Sequence, residues 1–338
     1  MNNPSNMPEH RNEDPLLSVS DIRKYYQVKT NFGASNKWHR AVDGVSFNIR
    51  KGNVFAVVGE SGCGKSTVAR LILRLLEPTS GDIYFKGRAI SSLKGEDLRR
   101  FRRSVQIIFQ DPFASLNPRM RIIDALSEPY KIHKLASRSE LSGRVVELLS
   151  KVGLNEDALA KYPHEFSGGQ RQRICIARTL AVSPELIVAD EPLSALDVSI
   201  QAQILNLLQS IRQDSGISMI FISHDLRVVR YISDEIAVMY LGKIVELGKT
   251  EDIFSAPKHP YTELLLSSAP KLKYRIKYDI GMFKKISDSG DIPNAADIPP
   301  GCPFHPRCSK MIGPCETLCP ELKTIGESSV ACHLIDVA

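Results

Sequence analysis

Short apolar runs bounded by turn residues set the architecture that this chain predicts. Val54–Val58 is wholly apolar, and Leu186–Asp190, Ser218–Ser223, Ile236–Tyr240 and Val105–Phe109 have similar character. Runs of this length, rich in β-branched and aromatic side chains, read as strands buried on both faces of a sheet. Val54–Val58 stops at glycines and passes into a helical pattern over Ser66–Leu76, a strand–loop–helix unit. Leu241-Gly242 separates Ile236–Tyr240 from Lys243–Leu247 and predicts a hairpin. Alternation at Leu17–Val19 and Val45–Ile49 predicts antiparallel strands, with Asn31–Asn36 as a loop between them. From about Gly95 to Leu180 the pattern is mostly helical, with Leu141, Val145, Leu148, Leu149 and Val152 on one face. The reading is an α/β core carrying an antiparallel β subdomain and an inserted helical subdomain at about residues 95–180.

Residues 1–15 are polar, lack the apolar stretch of a secretory signal and are expected to be disordered. The main domain is placed at 16–255. From Ala256 the composition changes to a basic run (Lys271, Lys273, Arg275, Lys277) and then to Pro- and Cys-rich sequence, so 256–338 is assigned to a C-terminal extension. The apolar runs are too short to cross a bilayer, which leads to the expectation of a cytosolic chain that reaches a membrane only through a partner. Lys and Arg outnumber Asp and Glu by 44 to 38, a net charge of +6 that is too mild and too dispersed to point to nucleic acid. A bound polyanion, an anionic membrane surface or an ordinary solvated surface all accommodate it. Of the seven cysteines, Cys63 and Cys175 lie alone, while Cys302, Cys308, Cys315, Cys319 and Cys332 crowd the C-terminus. In a cytosolic chain that crowding favours a metal site over disulfides.

Three motifs carry chemistry. Gly59-Glu60-Ser61-Gly62-Cys63-Gly64-Lys65-Ser66 is a complete phosphate-binding loop in its required strand–helix context. Its amides point at an anion, Lys65 reaches the β- and γ-phosphates, Ser66 is a Mg²⁺ ligand, and Thr67 adds a donor near the α-phosphate. Cys63, near a helix N-terminus, is expected to favour its thiolate and to react with alkylating agents; a small side chain merely tolerated there is the plainer alternative. Asp190 and Glu191 end the apolar stretch Leu186–Glu191, where one carboxylate can hold Mg²⁺ and the next can polarise an attacking water; an acidic cap on the following helix is the plainer alternative. Ser167-Gly168-Gly169-Gln170 precedes another helical stretch and reads as a second anion site; a glycine-rich loop with an incidental helix cap is the plainer alternative. One nucleotide cannot easily fill two distant anion sites in a single compact domain. A head-to-tail dimer, with each triphosphate sandwiched between one chain's loop and the other's Ser167–Gln170, resolves this.

With these motifs in this order the chain resembles the ATPase subunits of ABC transporters, and in particular the oligopeptide/dipeptide importer subfamily. The resemblance implies a P-loop NTPase (RecA-like) core. It further implies that Tyr26 stacks on adenine, with Tyr25 the neighbouring candidate, and that Gln110 touches Mg²⁺ and senses the membrane partner. Glu191 is the implied catalytic base, Asp197 a dimer contact and His224 the γ-phosphate contact. Taken singly, Tyr26 could be core and His224 structural. Gln110–Met120, His259–Thr262 and Gly301–Cys308 resemble the peptide-importer versions of those segments; relatives with other solutes (nickel, sugars, opines) keep those substrates open. A soluble ABC ATPase acting on DNA or ribosomes fits less well, because the chain has neither heptads nor a second phosphate loop.

Cys302, Cys308, Cys315 and Cys332, with five, six and sixteen residues between them, could bring four thiolates to one metal, but they lack the short Cys-x-x-Cys pairs of common zinc modules. The resemblance implies a four-iron, four-sulfur (4Fe-4S) cluster on these four; zinc or bare thiols are the alternatives, and Cys319 is a spare. It also implies a second ATPase subunit (a paralogue), two integral-membrane permease subunits, an extracytoplasmic solute-binding protein, and a peripheral location on the cytoplasmic face of the inner membrane. No nucleic acid is expected.

Overall fold

The computed structural model describes residues 14–28, 37–268 and 298–336. Residues 1–13 of the N-terminal stretch, the Asn31–Asn36 loop and the basic run from Lys271 to Lys277 lie outside the described residues.

Two sheets form the frame. The smaller is antiparallel, β1 (Leu17–Val28), β2 (Lys37–Ile49), β4 (Ser80–Phe85) and β5 (Arg88–Ala89) in the order β2-β1-β4-β5. The larger has eight strands, in the order β11 (Lys323–Ile325), β12 (Ser328–Val330), β10 (Lys243–Lys249), β9 (Glu235–Tyr240), β3 (Val54–Val58), β8 (Ser218–Ile222), β7 (Leu186–Asp190) and β6 (Val105–Ile108). Its centre is parallel: β3, β8, β7 and β6 lie side by side, with β9 parallel on the other flank of β3. Strands β3, β7 and β8 are buried along their whole length, as a parallel sheet covered on both faces requires. Leu241-Gly242, both at positive φ, turns β9 into β10 (Lys243–Lys249).

Strand alternation splits the core in two. Val54, Ala56 and Val58 face one cluster, which reaches the helical region; Phe55 and Val57 face the other, shared with the antiparallel sheet and with α1 (Lys65–Ile72). Phe55 stacks on Phe47 at 4.6 Å where the two sheets meet. Each such fully buried side chain contributes about 1.5–3 kcal/mol.

The stretch expected to be helical starts with α2 (Gly95–Ser104), passes through β6 of the main sheet, and then becomes α3 (Pro112–Ser115), α4 (Ile122–His133), α5 (Leu141–Lys151) and α6 (Gly168–Leu180). Leu141, Val145, Leu148 and Leu149 form the buried face of α5. Then α7 (Val198–Ser215) and α8 (Leu226–Ile232) cross between the strands, and α9 (Thr250–Ser255) and α10 (Pro260–Ser268) follow β10.

The cysteine-rich lobe is built onto the same core. Strands β11 (Lys323–Ile325) and β12 (Ser328–Val330) extend the large sheet, with Glu246 opposite Val330. Phe304, 1% exposed, is held among the rings of Tyr240, Tyr261 and His259 at centroid distances of 5.3, 5.4 and 5.8 Å. Glu246, fully buried, accepts hydrogen bonds from the amides of Lys258 (2.7 Å) and His259 (3.0 Å).

Candidate nucleotide site

The parallel order β3-β8-β7-β6 explains why residues far apart in the chain meet. Each strand delivers its functional residues at or just beyond its C-terminal end: the 59–66 loop after β3, His224 after β8, Asp190 as the last residue of β7 with Glu191 following it, and Gln110 after β6. In an open α/β sheet that edge is where ligands bind.

The 59–66 loop curls round its own lysine. Lys65, 5% exposed, donates from Nζ to the carbonyls of Gly59 and Glu60, both at 2.9 Å. Gly64 caps α1 at φ +107°, and a Cβ there would lie 2.1 Å from the Ala41 carbonyl oxygen; at Gly59 it would lie 2.2 Å from that of Met239. These two glycines therefore let the loop press against its neighbouring strands as well as expose its amides. Ser66 Oγ donates to Asp190 Oδ1 at 3.0 Å. Burial pushes the Asp190 carboxyl above its usual range, and the Ser66 bond opposes this.

Beside this pair the three remaining polar groups converge. Gln110 Nε2 donates to Glu191 Oε2 at 3.1 Å, and His224 Nδ1 lies 3.5 Å from Glu191 Oε1. Glu191 itself has φ +46°, a left-handed conformation that costs a non-glycine residue on the order of 1–3 kcal/mol. Its amide bond to the Ile222 carbonyl (3.0 Å) helps hold it there. The arrangement offers a half-buried carboxylate aimed by an amide and an imidazole, next to a hydroxyl–carboxylate pair of the kind that binds Mg²⁺.

Ser167 and Gln170 cap α6 reciprocally: Ser167 Oγ accepts from the Gln170 amide (3.3 Å) and Gln170 Oε1 from the Ser167 amide (3.0 Å). Ser167 and Gln170 are exposed, whereas Gly169 is buried against Ile200, whose Cγ2 would lie 2.5 Å from any Cβ there. Among the described residues, no hydrogen bond or ion pair joins these residues to the phosphate loop. Asp197, exposed, stands at the start of α7 without capping it. After Gln110, α3 rests on α6: Arg171 lies 3.9 Å over the Phe113 ring, and Arg178 Nη1 donates to the Ser115 carbonyl at 2.7 Å. Phe113 remains 60% exposed.

The two tyrosine candidates separate clearly. Tyr25 donates its hydroxyl to Asp43, whereas Tyr26 is 38% exposed, with its ring near His39 across the strand pair. Cys63 departs from expectation. It is buried at 4% exposure, and burial pushes its thiol up despite the opposing charge of Lys65. It is a packing residue, not an activated thiol, because the helix-terminus effect is outweighed by desolvation.

Cys302, Cys308, Cys315 and Cys332 line one small cavity, and all are free thiols. Burial raises Cys302 to about 12 and Cys308 to about 11. Among the described residues, however, no group of three or more His, Cys, Asp or Glu side chains is arranged to hold a metal ion. Cys319 is exposed and outside the set.

One contact was not legible in the sequence. Arg307, beside Cys308, forms a two-pronged bond to the Glu60 carboxylate of the phosphate loop (2.8 and 2.9 Å), and Tyr261 accepts from the Glu60 amide at 2.9 Å. Nothing in local spacing marks these residues, since the partners are brought together by the sheet.

A P-loop framed by these groups at one sheet edge is that of an ATP-binding cassette, and the comparisons agree. The ABC transporter family matches residues 42–194, and the oligopeptide/dipeptide transporter C-terminal region matches residues 245–315. The chain is 45% identical over 324 residues to the dipeptide transport ATP-binding protein DppF of Escherichia coli (strain K12), covering 96% of each. It is 48% identical over 328 residues to the oligopeptide transport ATP-binding protein AppF of Bacillus subtilis (strain 168), covering 96% of this chain and 98% of the relative. Among solved structures, the dimeric cassette MJ0796, in a post-hydrolysis state with ADP and Pi, superposes with a TM-score of 0.62 at 28% identity, covering 69% of this chain and 98% of that one. CbiO1 from Clostridium perfringens, part of the transporter complex cbiONQ, gives 0.62 at 29% identity, covering 72% and 92%. The chain belongs to the family of ABC transporter ATP-binding subunits and is an ATPase. Within that family it stands in the oligopeptide/dipeptide transporter branch. No described helix is long and apolar enough to cross a membrane.

Proposed function

We propose that this chain is the ATP-hydrolysing subunit of an importer for oligopeptides or dipeptides, working with a second, paralogous ATPase subunit, two permease subunits and an extracytoplasmic solute-binding protein at the cytoplasmic face of the inner membrane. The observation that carries the reading is the convergence of Gln110 and His224 on Glu191, beside the Ser66–Asp190 pair. The peptide-transport names of the relatives and the C-terminal match support the choice of solute.

In this reading the amides of residues 59–66 and Lys65 hold the β- and γ-phosphates, Thr67 reaches the α-phosphate, and Tyr26 stacks on adenine. Ser66, Asp190 and Gln110 would hold Mg²⁺, whose charge would offset that of the phosphates. Glu191 takes the proton of the attacking water while Gln110 and His224 keep its carboxylate aimed, so that catalysis is mostly positioning and charge. Ser167, Gln170 and Asp197, exposed and, among the described residues, joined by no hydrogen bond or ion pair to the 59–66 loop, suit the opposing subunit's nucleotide together with Gly168 and Gly169. The exposed Phe113 on α3 suits a helix of the permease, and its packing on α6 links that contact to the second anion site.

The same reading assigns Cys302, Cys308, Cys315 and Cys332 to a 4Fe-4S cluster. Four thiols on one cavity, three of them buried and the fourth partly so, fit such a group, and an iron–sulfur cube spreads its thiolates more widely than a single ion does. The cluster would supply a structural cross-link or a redox-responsive one. Anaerobic purification with iron and sulfide assay tests it, and colourless, iron-free protein rules it out. The transport assignment is tested by expression with its permeases. ATP-dependent accumulation of a labelled dipeptide in vesicles is expected, and failure to co-purify with any integral-membrane protein would overturn it.

A further inference from the structure

Glu60 is an unwelcome residue for an anion site: a carboxylate within the loop that must receive a triphosphate. It is held at three points. Its carbonyl accepts from Lys65, its amide donates to the Tyr261 hydroxyl, and its carboxylate is clamped by both terminal nitrogens of Arg307. The clamp is largely shielded, with side-chain exposures of 12% for Arg307 and 23% for Glu60. Arg307 is fixed in turn, because Nη1 also reaches the Tyr240 hydroxyl at 3.4 Å and its guanidinium lies beside the Phe304 ring. Tyr261 is anchored at its own amide, which donates to His259 Nδ1 at 3.0 Å, and by complete burial of its ring. Both anchors belong to the segments that build the cysteine lobe.

We propose that Arg307 and Tyr261 are positioning residues for the phosphate loop. Arg307 neutralises Glu60 and holds its carboxylate away from the triphosphate, and Tyr261 fixes the Glu60 amide. Integrity of the cysteine lobe and affinity for nucleotide are thereby coupled. The proposal rests on the reading of residues 59–66 as the nucleotide site. A preorganised loop binds more tightly because the ligand need not order it, and an unpaired carboxylate left beside the phosphates repels them. The coupling is reciprocal: whatever the lobe does for ATP binding, bound ATP does for the lobe.

The test measures MgATP affinity of the full chain, or of its complex, for R307A, R307K, E60A and E60A/R307A, with circular dichroism and thiol count as checks on folding. R307A is expected to weaken binding about tenfold, with a smaller change in kcat. R307K should fall between R307A and the parent, because an ammonium keeps the charge but not the two-pronged geometry. Removing Glu60 as well should recover most of the loss, which a merely structural role for Arg307 in the lobe would not produce. Amide hydrogen exchange of residues 301–316 in the lobe should slow when MgATP is added to the parent, and respond less in R307A. Unchanged affinity in R307A, equal impairment in R307A and E60A/R307A, or lobe exchange indifferent to MgATP would each overturn the coupling. K65A separates the two levels. If it still binds MgATP at parental affinity the site reading itself fails, whereas loss in K65A with none in R307A defeats only this inference.

Discussion

Replacing Glu191 by glutamine isolates one proton acceptor while leaving shape intact. The amide oxygen of the new side chain can still accept from Gln110 Nε2, whose present bond to Glu191 is 3.1 Å, so the local geometry should hold. What disappears is the basic carboxylate and its attraction for His224 at 3.5 Å. A positioned general base contributes roughly 10²–10⁴ in rate, about 3–5 kcal/mol of barrier. Nucleotide affinity should not fall with it. Asp190 is pushed up first by burial and also by the charge of Glu191, so removing that charge makes Asp190 easier to ionise and a better Mg²⁺ ligand. The expected result is phosphate release at saturating MgATP reduced by about 10²–10⁴, with equilibrium ATP binding unchanged or tighter. Light scattering should then show an ATP-stabilised dimer, since nothing reopens it. Turnover at the parental rate would refute Glu191 as the base; loss of binding together with turnover would show that it serves chiefly to shape the site.

Tyr26→Ala should weaken ATP binding by roughly the 0.5–1.5 kcal/mol of an aromatic stack, whereas Tyr25→Phe should lower stability and leave affinity alone; fluorescence titration and thermal melts distinguish them. Native protein should leave Cys63 unmodified by alkylating reagents and keep its ATPase activity, and fast labelling of that thiol would contradict its burial. Asp43 is pushed up by burial, but the Tyr25 hydrogen bond and Lys243 outweigh this and hold it below the ordinary 3.8. Its stabilising contribution is therefore present above that value and lost as pH falls through the lower folded one. Asp43→Asn should cost about 2 kcal/mol near neutrality, with the gap to the parent closing below about pH 4; a gap independent of pH would refute the assignment. Ser167→Ala removes the α6 cap and should cost about 1 kcal/mol, read as a lower melting temperature.

Much of the frame follows from local pattern. Strands β3 and β7 are the apolar runs themselves, β7 admitting a polar residue only at its last position, Asp190, because a strand buried on both faces is close to continuously apolar. The loop at 59–66 and the α6 cap are equally local, since anion sites at helix starts are written in contiguous residues. Tyr25 and Tyr26 could not be ranked that way. Both sit on β1, and only the approach of Asp43 from β2 takes Tyr25 out of play. Cys63 misled for the same reason: its position beside a helix start is visible in one dimension, but its burial comes from the sheets packed around it.

The chain alone thus determined the class of chemistry, because phosphate loops, capping boxes and buried strands are short-range devices whose physics is complete within ten or so residues. Tertiary structure decided who meets whom. The strand order β3-β8-β7-β6 brings Gln110 and His224 to Glu191, and the joining of β12 to β10 lays the cysteine lobe against Glu60. Those contacts depend on which edges of a sheet pair, a choice settled by burial of the whole core and not recorded in any local stretch of sequence.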